Sequence, residues 1–157
     1  AFNDPQKRIG KIYTKAEADE LSVRKGWIFK EEIKSEGGFR RVVPSPVPVD
    51  VMNKMIIRYL ASQGNIVIAA GGGGVPVYID SNKDVRPAEV VIDKDLASSL
   101  LASLIEADEF YILTDVPYIY VNYRKPDQEI KEFLNYADAF KYLNEGQFTK
   151  GSMATKV

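Results

Sequence analysis

The chain has 157 residues, 45% of them hydrophobic, which supports one ordinary globular domain with a core and excludes a disordered segment. Its 21 Lys and Arg balance 22 Asp and Glu, so no charge excess drives it toward nucleic acid or an anionic membrane, and partners must be recognised at local sites. Cys and His are both absent, which removes disulfides, thiol nucleophiles, the usual zinc sites and every histidine-based triad, and leaves the chemistry to Lys, Arg, Asp, Glu and backbone amides.

Thr14 with Glu17 three residues on is a capping-box pattern, and the stretch to Lys25 before Gly26 predicts a short helix. "GWIFKEEI" and "FRRVVPSP" flank "KSEGG", which predicts a hairpin turning at Gly37 and Gly38 and ended by Pro44, Pro46 and Pro48. This polar excursion, residues 14–48, reads as a protruding arm or lid. Val51, Met55, Ile56, Tyr59 and Leu60 recur at helical spacing up to a stop at Gly64. "NIVIAA" is then expected as a buried strand, and "VPVYIDSNKDVRPAEVVID" as a second hairpin around "DSNKD".

From Lys94 a helix is expected, with Leu96, Leu100, Leu101, Leu104 and Ile105 as its apolar face. "EFYILTDV" reads as a continuous apolar strand, "YIYVNY" as another, and "QEIKEFLNYADAFKYLNEG" as one or two helices. Strands and helices alternating, with glycine turns at strand ends, indicate an α/β sheet, partly parallel and covered on both faces. No apolar run reaches the ~18 residues of a membrane helix and the start lacks a signal-peptide pattern, so a cytoplasmic location is the default. Ala1 and Val157 both read as cut ends, so the chain is expected to be a piece of a larger protein.

Four places could carry chemistry. One is "LTDVPYIYVNY", a strand ending in Thr114 and Asp115 and followed by alternating tyrosines, which read as half-buried strand residues rather than a base-stacking platform. Gly71 to Gly74 follow an expected strand, where open α/β sheets bind ligands. The run is neither a Walker A loop nor a GxGxxG turn, so a tight turn under close packing and a close approach to a ligand both remain open. In "VVIDKDLA" the aspartates suit a helix N-terminus, but the cation of Lys94 does not, unless an anion such as a phosphate lies in front of both. "FTKGSMATKV" brings glycine and Lys156 close together, which reads as a surface loop or as part of a composite anion site.

These segments resemble carbamate kinase, within the amino-acid kinase superfamily. The carrying stretches, in the family's order, are "AFNDPQKRIGKIY", "RRVVPSP", "VIAAGGGGVPV", "VVIDKDLA", "ILTDV", "YVNYRKPDQ" and "EGQFTKGSM". The resemblance covers the central and C-terminal portion of such a kinase, without the family's N-terminal half and C-terminal end, so this piece alone is expected to be inactive. It implies a three-layer αβα sandwich with a mostly parallel central sheet and a protruding hairpin subdomain. The implied reaction is reversible phosphoryl transfer between MgATP and carbamate, run from carbamoyl phosphate and ADP toward ATP in the arginine deiminase pathway of arginine fermentation. Mg2+ accompanies ATP or ADP, and a homodimer is implied.

By the family's motifs, Lys7 reaches the transferred group, Lys94 and Lys156 neutralise the phosphoryl oxygens, and Asp95 orients them. Gly71, Gly72, Gly73 and Gly74 would line the carbamate side, and Thr114, Asp115, Tyr120 and Met153 the nucleotide side. Two departures stand out. The family's Ser-Met-Gly-Pro-Lys is Ser152 to Lys156 with Ala154 and Thr155, and its Pro-Ile-Gly-Pro is Arg8 to Lys11. Alanine at position 154 would be strained if the loop needs a positive φ there. That change motivates one alternative, a non-catalytic paralogue that binds nucleotide or an effector. The near alternative is another acyl-phosphate-forming amino-acid kinase, over which the "RRVVPSP" arm and Lys7 favour carbamate kinase.

Overall fold

The computed structural model describes residues 5–32, 36–148 and 153–157. In chain order the elements are β1 (Lys7–Tyr13), α1 (Lys15–Lys25), β2 (Ile28–Glu31), β3 (Phe39–Val43), α2 (Lys54–Ser62), β4 (Val77–Ile79), β5 (Val85–Pro87), α3 (Lys94–Leu104), β6 (Ile119–Val121), β7 (Glu129–Lys131) and α4 (Tyr136–Asn144), then a 3-10 turn, Met153–Thr155.

Local chemistry accounts for the first unit. Thr14 accepts from the amide of Glu17 while the Glu17 carboxylate accepts from the amide of Thr14, the reciprocal pair of a capping box, and Gly26 closes α1 in the left-handed region at φ 67°. β2 and β3 form the expected antiparallel hairpin, although Lys34 and Ser35 of its turn lie outside the described residues. β1 adds to the far edge of β3, so the sheet has the order β1-β3-β2 and includes Lys7, which stands opposite Val43. Tyr13 meets Phe29 edge-on, 5.3 Å between centroids.

The second hairpin also forms, β4 against β5, with Asp80 accepting from the amides of Asn82 and Asp84 across the turn. α2 and α3 fall where the periodicity puts them, and Leu101 of α3 is buried.

Three expectations need correction. "NIVIAA" and "EFYILTDV" are not buried strands: neither pairs with a neighbour, and Ile66, Ile68 and Leu113 are 97%, 95% and 94% exposed. An apolar run becomes a strand only when another strand offers its hydrogen-bonding edge, and no described strand pairs with either segment. For the same reason every strand pairing among the described residues is antiparallel, and the parallel central sheet is not formed within them. Finally, the start of "QEIKEFLNYADAFKYLNEG" is not helical. Glu129–Lys131 pairs with β6, and only Tyr136–Asn144 is a helix, begun where Asn135 caps the amide of Asp138.

The buried apolar set is small: Ala18, Val42, Val43, Ala97, Leu101, Val121 and Phe148 among the described residues. Val42 and Val43 belong to the first sheet, one on each of its faces, and a polar cluster joins Lys7 and Lys156, near the two ends of the chain, at the start of α3.

Candidate active site

The site is built on the N-terminus of α3. Asp93 is its N-cap, extended at φ −67° and ψ 132°, and its Oδ1 accepts from the amides of Asp95 at 2.9 Å and Leu96 at 3.4 Å. Its Oδ2 accepts from Lys7 Nζ at 3.2 Å, which anchors β1 to the helix start. Asp93 is therefore more than a cap. Its second oxygen serves a residue 86 positions away, and no local pattern in the sequence announces that pairing.

One turn of side chain further on, Asp95 is also buried, and its two oxygens hold two different lysines. Lys94 Nζ donates to Oδ1 at 2.7 Å and Lys156 Nζ donates to Oδ2 at 2.6 Å. Thr155 Oγ1 lies 3.5 Å from the same Oδ2. Burial pushes the Asp95 carboxyl up, but the hydrogen bonds from Lys156 and Lys94, together with their charges, outweigh it and hold the group below the usual carboxylate range. The bond to Asp95 raises Lys94 above the ordinary lysine value, against a smaller opposing effect of desolvation. The discomfort of a cation at a helix N-terminus is thus relieved by its neighbour's carboxylate. Both ammonium groups are held by Asp95, but Lys94 remains 57% exposed along its side chain and Lys156 only 16%, so solvent reaches the first and hardly the second.

The glycine run lies against this turn. A Cβ on Gly73, at φ 134°, would stand 2.1 Å from the carbonyl oxygen of Ile92, the residue before Asp93. Close packing therefore requires Gly73, whereas nothing lies within 4 Å of a Cβ on Gly71 or Gly72. The run is one residue from Asp93 in space at Gly73 and open at its first two positions.

Of the four residues expected on the nucleotide side, Thr114 and Met153 line one cavity of about 240 Å³ together with Lys156, Pro117, Tyr118 and Lys131. Asp115 and Tyr120 are not among its lining residues. Asp115 is exposed and accepts from Thr114 Oγ1 at 3.3 Å, and Tyr120 sits on β6 with its ring 5.6 Å from that of Tyr123. Ala154 lies in the 3-10 turn and is not among the residues of positive φ, so alanine carries no backbone strain there. The flanking 149–152, including Ser152, lie outside the described residues. No group of three or more Asp, Glu, His or Cys that could hold a metal ion gathers among the described residues.

The amino acid kinase family's sequence pattern matches residues 9–157. The carbamate kinase of Thermoplasma acidophilum is 49% identical over 157 residues, covering 100% of this chain and 50% of that protein. The carbamate kinase of Clostridium perfringens is 46% identical over 156 residues, covering 99% of this chain and 49% of that protein. Among solved structures, a crystal structure of an Aeropyrum pernix K1 protein superimposes with a TM-score of 0.89 at 47% identity, over 99% of this chain and 49% of the other. Carbamate kinase from Giardia lamblia bound to AMP-PNP superimposes at 0.86 with 38% identity, over 99% and 48%. The chain spans about half the length of the curated relatives it matches. These superpositions bear out an α/β fold of the amino-acid kinase type.

Proposed function

The chain belongs to the amino acid kinase family, and from that premise we propose that the protein carrying it transfers a phosphoryl group reversibly between MgATP and carbamate. The observation that carries the reading is the cluster at α3, where three cations, Lys7, Lys94 and Lys156, converge on two carboxylates, Asp93 and Asp95. Identities of 46% and 49% to carbamate kinases support the choice of substrate.

The chemistry suits a site without histidine. Carbamate is already an anion and needs no general base, so the work is to neutralise charge on the phosphoryl oxygens and to hold donor and acceptor in line. Lys156, held by Asp95, supplies a fixed positive charge. Lys94, exposed and tied to the other Asp95 oxygen, turns toward the phosphoryl group when it arrives. Lys7 approaches from β1 with Asp93 as its anchor. Gly71 and Gly72, open at their Cβ positions, leave room for a substrate as small as carbamate. Thr114 and Met153 border the nucleotide, in the cavity that also receives Lys156. Asp115 and Tyr120 serve the same side from outside that cavity. Mg2+ enters with the nucleotide as part of the substrate.

Residues 14–48 act as an arm beside this site, rooted through β1 and tied to the segment before Asp93 by the amide of Val91, which donates to the carbonyl of Pro44 at 3.0 Å. A cytoplasmic homodimer working toward ATP in arginine breakdown is the biological setting that the family resemblance supports. The non-catalytic alternative rested on the altered loop. Ala154 is unstrained and Lys156 reaches Asp95, so it is not favoured.

The test is a coupled assay on the full-length protein, supplied with carbamoyl phosphate and MgADP, with ATP as the readout. ATP formation is expected. Bound ADP with no ATP formed would defeat the kinase reading.

A further inference from the structure

The two faces of the β1-β3-β2 sheet differ in chemistry, because alternate residues of a strand point to opposite sides. Lys7 shares a face with Val43 and Arg41, and reaches Asp93 from there. Arg8 shares the other face with Val42, and the register then adds Ile28, opposite Val42, and Lys30, opposite Arg40. Directly opposed residues stand roughly 5 Å apart at Cβ and diagonal neighbours about 7–8 Å, so Arg8, Lys30 and Arg40 form one patch of three cations.

Like charges opposed across a ladder repel, and the patch is only partly compensated. Arg40 Nη1 meets Glu32 Oε2 at 3.4 Å. Lys30 Nζ donates to Gln6 Oε1 at 2.7 Å, and Arg8 Nη2 donates to the carbonyl of Glu31 at 2.9 Å, both of them uncharged acceptors. The Nε atoms of Arg8 and Arg40 are both buried and donate to nothing among the described residues. A buried donor without an acceptor is unfavourable, and two of them on neighbouring guanidinium groups is unusual.

We infer that this face of the arm is a second oxyanion site, in which Arg8 and Arg40 bind a phosphate or carboxylate group and Lys30 adds its charge. In their present orientation each arginine wastes one donor. Turning a guanidinium outward to an oxyanion sacrifices no bond at Nε and gains a two-pronged partner through Nε and Nη, the geometry that planar carboxylate and phosphate groups match. The site is separate from the lysine cluster, since alternation sends Lys7 and Arg8 to opposite sides of the same strand. An anion there ties β1, β2 and β3 together and so fixes the strand that carries Lys7. The inference does not depend on the reaction proposed above.

The experiment follows the Nε–Hε resonances of Arg8 and Arg40 in the full-length protein during titrations with inorganic phosphate and, separately, with malonate. Both resonances are expected to move and saturate with at least one of the two, and the tighter anion names the group. The response should persist in Lys94→Ala, which alters the other anion site, and weaken about tenfold or more in Arg40→Gln and in Arg8→Lys, which keeps the charge but lacks the planar fork. Shifts that never saturate, that vanish in Lys94→Ala, or that survive unchanged in both arginine variants would overturn the inference. Should Arg40→Gln fail to fold, Arg8→Lys makes the same comparison.

Discussion

Lys94 and Lys156, 62 positions apart in the sequence, grip the two oxygens of one carboxylate, Asp95, at 2.7 and 2.6 Å. Asp95 keeps the two ammonium groups together, because without it they would face each other across a partly buried site. Replacing Asp95 with Asn should therefore destabilise the protein by about 1–3 kcal/mol, read from urea unfolding. It should also reduce turnover, because Lys156 loses its anchor. A variant as stable as the parent would show that the lysines find other partners.

The same carboxylate gives a pH signature. Its folded pKa lies below the unfolded value, so its contribution is complete above the ordinary carboxylate range and is lost as pH falls through the depressed folded value. The stability gap between the parent and Asp95→Asn should thus be widest near neutrality and close in acid. Unfolding curves at a series of pH values test this, and a gap independent of pH would contradict it. Lys94 has the opposite sign. Its raised pKa favours the fold below the ordinary lysine value and ceases to do so as pH rises through the folded value, by an amount reduced by its exposure.

Lys94→Ala separates chemistry from folding. The side chain is 57% exposed, so stability should change by no more than about 0.5 kcal/mol. Turnover in the coupled assay should fall about a hundredfold or more, the usual result of removing a group that meets developing charge. An unchanged rate would remove Lys94 from the reaction.

The glycine run divides at Gly73. Gly73→Ala brings a methyl group to 2.1 Å from a backbone oxygen at a φ that L residues avoid, so about 2–4 kcal/mol should be lost. Gly72→Ala has neither problem and should stay within about 0.5 kcal/mol, unless carbamate is present to be crowded. Thermal melts measure the first contrast, and the KM for carbamate in Gly72→Ala measures the second.

How much of this could be read from the residues depended on how local each signal was. The capping box at Thr14 and Glu17, the hairpin turns and the start of α3 at Asp93 are decided within a few residues, and all stand where the sequence puts them. The apolar runs around Ile66 and Leu113 read as buried strands yet stand exposed, because such a run states that a segment favours burial without naming the neighbour that would cover it. The sequence reads Glu129–Lys131 as helix for a related reason. Three residues carry too short a pattern to distinguish the periods, and their pairing with β6 decided the outcome. Within the site, Lys94 was conspicuous as a cation in the wrong field. Asp93 passed as an ordinary cap, because only the folded chain brings Lys7 to its second oxygen.

The strand order of the first sheet has a consequence for how the protein is made. β1 and β2 share no strand pairing; each pairs with β3, the last of the three to be synthesised. During translation Lys7 leaves the ribosome before β3, and it gains its place in the sheet only once Phe39–Val43 has followed and paired with both strands. The hairpin of β2 and β3 is close in sequence, which favours its closing before β1 docks onto it. A slow step in that docking would leave a protein with its hairpin folded and Lys7 still unplaced.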